Sequence, residues 1–384
     1  MKKIFYVALA IVATMFVACK DQQTLEGDTT KLWPAQQAVG EEWGYIDAKG
    51  TFVIAPTFDE VLSFSCGYAY VEVGDESKFI DKKGSWQTTP SYDGATSFNY
   101  NYSIVNLDGN YGLMNNKFEM TVQPFFARLY MMGDNGLVVA MRDGSNKYEY
   151  VNAKGETKIA AMYDDAEQFL DGVAVVTMGN KQGAINKAGD FVIQATYEKY
   201  SLSNMGKGLL SYVDKNGKMG ILDKKGNMLV APMYYEINPV SDGLILVKGK
   251  EKYGYINTKG EMVIAENYEE ARPFYEGQAW VKRNEDSNWI SIDKDNNMVF
   301  SLGDDEAPTA GYCLPVTGFH NGLALVATED GYKYVNKSGA LVYTWTYEND
   351  YDWAPKKAQR EQMSFRERME EFHNMTLNFD SRKL

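Results

Sequence analysis

The chain has 384 residues, 45% hydrophobic and 24% charged, a globular composition and not a disordered one. Its 39 Lys and Arg face 52 Asp and Glu, giving a net charge of −13, which excludes a protein that works by neutralising nucleic-acid phosphates. Two His leave little material for a His-based metal site or triad, whereas 27 Tyr, 18 Phe, 7 Trp and 34 Gly describe aromatic strands and tight turns.

Residues 1–18 read as a signal peptide. Lys2 and Lys3 form a basic start, and Ile4 to Val17 is an apolar run broken only by Thr14, too short to span a bilayer comfortably. It closes Phe16-Val17-Ala18-Cys19, with polar Lys20-Asp21-Gln22-Gln23 behind it. This ending resembles the bacterial lipobox, with Phe16 where Leu is usual. The resemblance implies cleavage before Cys19 and acylation of its thiol. The mature protein would then be anchored by lipid in the bacterial cell envelope, at the outer membrane. A plain secretory signal cut elsewhere is the alternative. Loss of Lys2 and Lys3 leaves the mature chain more acidic still, so acyl chains and not basic patches would hold it at an anionic surface. Residues 19–31 are then the lipidated Cys and a polar tether. No later run is apolar over 18 residues.

Residues 32–350 repeat. A four-residue unit opening on Asp or Asn and closing on Gly occurs at Asp47 to Gly50, Asp81 to Gly84, Asn152 to Gly155, Asn186 to Gly189, Asp223 to Gly226, Asn257 to Gly260 and Asn336 to Gly339. Degenerate copies stand at Asn115 to Phe118 and Asp293 to Asn296. The fourth positions follow one another at intervals of 34, 34, 37, 34, 37, 34, 36 and 43. Asp or Asn opens a turn by bonding its own backbone, and Gly supplies the positive φ that closes it. Asn296 tolerates that conformation; Phe118 does not, which predicts a distorted turn there.

A short strand precedes each turn, as Trp43-Gly44-Tyr45-Ile46 or Tyr253-Gly254-Tyr255-Ile256, and another follows, as Phe52-Val53-Ile54. Pro stands six residues past the turn in Pro56, Pro90, Pro124 and Pro232, where its missing N–H should end the pairing. An aromatic lies two further on, usually followed by an acid, as Phe58-Asp59 or Tyr268-Glu269. A third strand opens after a Phe-x-x-Gly step, as Phe64 to Gly67 or Phe274 to Gly277, and alternates as Ala69/Val71 or Ala279/Val281. Each repeat therefore predicts a three-stranded antiparallel meander that needs neighbours to cover it.

These strands and turns resemble the WG (KWG) repeat family. The resemblance runs from residue 33 to about 348, though Trp43-Gly44 is the only literal Trp-Gly. It implies an all-β architecture and no reaction, since the family carries no general catalytic motif. The array either bends into a propeller-like ring or runs on as an open β-superhelix. A partial strand at the start and an incomplete last copy favour the ring. A bridge between Cys66 and Cys313, which the compartment permits, would lock it. Residues 351–384 predict a C-terminal helix with an apolar stripe at Ala358, Gln362, Phe365, Met369 and Phe372, packing on the array or binding a partner.

No Gly-rich phosphate loop, Gly-x-Ser-x-Gly or His-Glu-x-x-His occurs, and the sequence implies no cofactor or metal. Asp293, Asp295 and Asn297 imitate the start of a calcium loop, but Met298 stands where its Gly belongs. Paired acids such as Asp59-Glu60, Asp164-Asp165 and Glu269-Glu270 recur at one repeat position, which favours a turn role over catalysis. Trp86, Trp280, Trp345 and Trp353 remain as aromatics for binding, or as core. The sequence thus supports a non-catalytic lipoprotein that binds or scaffolds an envelope protein or glycan, with no nucleic acid. A glycan hydrolase using a repeat-borne carboxylate pair is the rival reading.

Overall fold

The computed structural model describes residues 31–303, 313–328 and 330–347. Cys19, Trp353 and the C-terminal segment lie outside them. The described residues hold 33 strands and no helix. Small antiparallel sheets follow one another in chain order, and the sheet of Glu236–Ile237, Leu244–Lys248, Tyr253–Asn257 and Met262–Tyr268 is representative. In one place two such meanders fuse into a 7-stranded sheet. There the 13-residue strand Met120–Met132 closes one meander and, after a register shift at Phe126/Arg128, opens the next.

The phase of the meander differs from the expectation. The strand after Phe-x-x-Gly pairs forward with the aromatic-Gly strand of the next copy: Tyr68–Val73 lies along Glu76–Asp81, with Val73 opposite Glu76. Closing a two-residue hairpin wins over reaching back across a longer loop. A short further strand, two residues long in Glu60–Val61, then precedes Tyr68–Val73 in the sheet.

Proline does not end the pairing at Pro56, Pro124 or Pro232, whereas Pro90 stands past the last bridge of its copy, Ile80 to Trp86, and in no strand. Pro56 sits inside Phe52–Phe58, an edge strand, where no neighbour requires its N–H. That strand bulges: Tyr45 faces Ile54 but Trp43 faces Phe58, so extra residues bow out around Pro56. The bow presses on the aromatic-Gly strand. A Cβ on Gly44 would lie 2.5 Å from the Ile54 carbonyl oxygen and 2.7 Å from the Pro56 nitrogen. Gly112, Gly183, Gly220 and Gly254 are crowded by the equivalent backbone. The Gly of the motif is thus a close-approach residue.

The turns form as their residues require. Asn257 Oδ1 accepts from Lys259 N at 2.9 Å and Glu261 N at 3.0 Å, and Gly260 closes the turn at φ +85°. Asn296 adopts φ 67° as expected. Phe118 overturns the expected distortion: it adopts φ 62° and its turn keeps the same bonds, with Lys117 N and Glu119 N on Asn115 Oδ1. Its ring packs against Tyr68, Phe79 and Phe98, contacts that offset the left-handed backbone. The Phe-x-x-Gly step is a two-residue hairpin with both central residues at positive φ, Glu276 at 50° and Gly277 at 85°.

Hydrophobic clusters fill the space between successive sheets. In one, Leu246 and Tyr255 meet Phe274, Ala279 and Val281 of the following sheet. Buried tyrosines tie the same junctions: Tyr45, Tyr150 and Tyr255 hydroxyls donate to the carbonyls of Leu62, Glu167 and Arg272, each 17 residues ahead. In the last sheet Tyr334 donates instead to Pro34, at 3.0 Å. There Trp33, Ala35 and Ile46 share a cluster with Leu323, Leu325, Tyr334 and Trp345. Val39 N donates to Thr346 O at 2.9 Å, Tyr343 hydroxyl to Gln36 O at 3.0 Å and Trp33 Nε1 to His320 O at 3.0 Å. First and last sheets therefore meet.

Candidate interaction surface

The recurrent acids are committed to the scaffold. Asp59, Asp93 and Asp164 each accept a backbone N–H from the hairpin 15 residues on, at Gly74, Asp108 and Gly179. Lys147 pairs with Asp164 at 2.5 Å and, with the Gly179 N–H, holds that carboxyl below its usual range. Ion pairs also join Lys181 to Glu198 and Lys252 to Glu269. Asp293 Oδ1 caps the N–H groups of Asp295 and Asn297, the ordinary turn of the array.

Glu167 is different. Loss of solvent around its carboxyl pushes its pKa up from 4.5 to about 7, against an Asn204 N–H at 3.5 Å and with the Asp165 charge adding to the rise. The residue as a whole keeps an exposed face, so the energetic effect is screened. An acid with a raised native pKa holds its proton more tightly when folded. Its contribution is present below pH 4.5 and lost as the pH climbs to about 7. Glu167→Gln is therefore expected to flatten the fall in stability over that window, with a gain of about 0.5–1 kcal/mol at pH 8 by denaturant titration. An unchanged pH profile would refute the assignment.

The aromatics chosen from sequence divide. Trp280 is 1% exposed and stacked on Phe319, and Trp345 is 2% exposed in the cluster between first and last sheets, so both are core and neither offers a binding face. Each ring fills an inter-sheet cluster that a smaller side chain would leave with a void. Trp86 is 46% exposed, edge-on to Phe58 with Lys78 over its ring. The Cys66–Cys313 bridge is not formed: Cys313 is buried with Trp280 and Trp289, whereas Cys66 packs in a separate cluster with Tyr68 and Phe98. The two belong to different inter-sheet layers, which fixes them apart.

A surface missed in the sequence runs along the outer strands. The two residues that follow the turn Gly by one place are exposed and apolar in successive copies: Met228 and Leu229, Met262 and Val263, Met298 and Val299. Leu341, Val53 and Trp86 occupy the same positions in the last copy and the first two. The links between copies are short. A Cβ on Gly260 would lie 3.7 Å from Leu229 O, Gly339 abuts Phe300, Gly50 abuts Val342, and Gly84 abuts Ile54. In mid-chain the band lapses to exposed Thr157 and Lys158. The signal was an apolar pair just past the turn, which strand periodicity alone assigns half to the core.

Five stretches, residues 43–76, 79–111, 150–181, 219–253 and 253–285, match the model of the WG containing repeat. No curated protein matches the sequence. Among solved structures the chain is similar to a eukaryotic initiation factor, at 12% identity and a TM-score of 0.58, with 84% of this chain and 97% of that one covered. This likeness is one of fold alone. Weaker similarity extends to the computationally designed Ika8 protein (13% identity, TM-score 0.41, 73% and 93% covered) and to apo AztD from Citrobacter koseri (12% identity, TM-score 0.41, 84% and 96% covered).

Proposed function

We propose that this chain is a non-catalytic lipoprotein of the bacterial envelope that binds or scaffolds another envelope protein. The observation that carries the reading is the apolar band, which repeats just past the turn on successive outer strands, as exposed apolar residues do at interaction sites. We further infer that all the copies are WG repeats closed into a propeller-like ring. In support, the last sheet receives Pro34 and Gly50 of the first by the same Tyr-hydroxyl and turn-glycine contacts that join other neighbours. Methionine suits such a surface, because its unbranched side chain refits to a partner's contour.

The binding reading is tested by a photo-crosslinking residue placed at Val263 or at Lys158 in intact cells. Adducts are expected at Val263 and not at Lys158; equal labelling of both would overturn it. The anchor has a separate test. Cys19→Ser removes the nucleophile that acylation requires, so the protein is expected to leave the membrane fraction and lose acyl label. A variant that still carries acyl label would refute the lipobox.

A further inference from the structure

The outer strand Met228–Tyr234 departs from its counterparts along its outward face. Leu229, Ala231, Met233 and Tyr235 are exposed on alternate positions, with Val230 and Tyr234 buried between them. The next outer strand carries Val263, Ala265, Asn267 and Glu269 at the same positions, so it turns polar where this one stays apolar. Tyr235 stands where other copies have Asp59, Asp164, Glu198 and Glu269. That exchange strands a lysine. In four successive copies a Lys lies 17 residues before this position: Lys147, Lys181, Lys218 and Lys252. Three of them pair with Asp164, Glu198 and Glu269. Lys218 lies instead over the Tyr235 ring and has no carboxylate partner among the described residues.

We propose that an aspartate or glutamate of the partner protein seats its carboxylate at Lys218 and Lys250, with the residues beside it lying on Met233, Ala231 and Leu229, a seat that rests on the binding reading above and gives the partner its chemistry. The array itself shows how such a seat holds a carboxylate: Asp164 accepts from Lys147 Nζ and from Gly179 N, 15 residues on. At the corresponding places Lys218 Nζ faces a phenol, which leaves its charge in place, and Lys250 N has no acceptor among the described residues. Lys218, by hydrogen bond and charge, and Lys250, by charge, hold the Tyr235 hydroxyl below its usual pKa, so both ammonium groups act at this point. The nearby acids are engaged elsewhere. Asp214 Oδ1 accepts from Asn216 N and Lys218 N, and Glu236 meets Lys248 at 3.3 Å and the Tyr253 hydroxyl at 3.1 Å. Glu251 approaches Lys250 only to 3.9 Å. On a chain of net charge −13 an acidic segment is repelled from most of the surface, and a charge-assisted bond here fixes where it lands. The apolar positions leading up to Tyr235 supply the contact beside it and continue into the band at Met228 and Leu229.

The test places a photo-crosslinking residue at Met233 in intact cells. Adducts are expected in the native background and in Lys181→Met, whose lysine already has Glu198, and are expected to fall at least about fivefold in Lys218→Met. Tyr235→Asp supplies the missing acid from within and is expected to lose them likewise, whereas Tyr235→Asn, of equal size, retains them. Near-ultraviolet circular dichroism reports that the repeats stay folded in all four variants. Tyr235→Asp is also expected to melt about 1–2 °C above Tyr235→Asn at low salt, a difference lost in about 1 M NaCl. Equal melting temperatures at low salt would overturn the proposal, because no carboxylate seat would then exist. So would adducts that persist in Lys218→Met or Tyr235→Asp, or that vanish equally in Tyr235→Asn. Mass spectrometry identifies what is attached: a peptide of another protein containing Asp or Glu is expected, and a glycan, a peptide without an acid or a peptide of this chain would overturn the assignment. Adducts at Val263 with none at Met233 defeat this inference alone, and adducts at neither position defeat the binding reading with it.

Discussion

Gly44→Ala is expected to destabilise the protein by roughly 3 kcal/mol, the upper part of the range for overpacking, although the substitution adds a single carbon. The new Cβ would meet backbone on the neighbouring strand, 2.5 Å from Ile54 O, 2.7 Å from Pro56 N and 2.8 Å from Ala55 C. Backbone held in a ladder cannot swing away as a side-chain tip can. Relief requires the bulge to flatten, and flattening removes the offset that sets Phe58 opposite Trp43. Phe58 is 4% exposed in the first inter-sheet cluster, so its displacement opens core. Gly243→Ala is the matched control. Its Cβ would meet nothing within 4 Å, and it carries only the strain of φ +83°, about 1–2 kcal/mol. Denaturant unfolding of the two variants should rank them in that order; equal losses would show that the bulge yields freely.

Trp345→Ala is expected to cost about 3–5 kcal/mol, the range for truncating a large aromatic in a packed core. The indole is 2% exposed, with Tyr332, Tyr334 and Tyr343 rings at 5.7, 5.4 and 5.9 Å. Those tyrosines include the two whose hydroxyls reach Pro34 and Gln36, so the cavity weakens the bonds between first and last sheets as well as the packing. Hydrogen exchange should report the loss first at the amide of Val39, which depends on Thr346 O. Protection at Val39 unchanged in the variant would separate Trp345 from the junction.

The turns were legible in the sequence because their chemistry is local. An Asn that bonds its own backbone and a Gly at positive φ act within five residues, and the repeat displayed both many times over. The acids could be read as structural for the same reason. Long-range choices were hidden. Strand phase depended on whether Tyr68–Val73 paired backward or forward, and both alternatives present the same alternation of Ala69 and Val71. Trp280 and Trp345 departed from the consensus, which suits a binding residue and equally a filler of a wide gap; only the neighbours' positions decide. Phe118 failed as a prediction because a turn propensity was weighed without the three aromatic rings that wait around it.

The offset between sequence copy and sheet has an evolutionary corollary. Sheets take strands from two consecutive copies, or three in the fused 7-stranded sheet, so sheet boundaries are laced by continuous chain, and no copy owns a complete sheet. A recombination that deletes or duplicates one period can therefore break anywhere within it and still leave whole sheets on both sides. What changes is the number of sheets in the array. The 43-residue spacing before Gly339 is where such an event would leave its trace, as a copy lengthened and eroded while those beside it keep the regular beat.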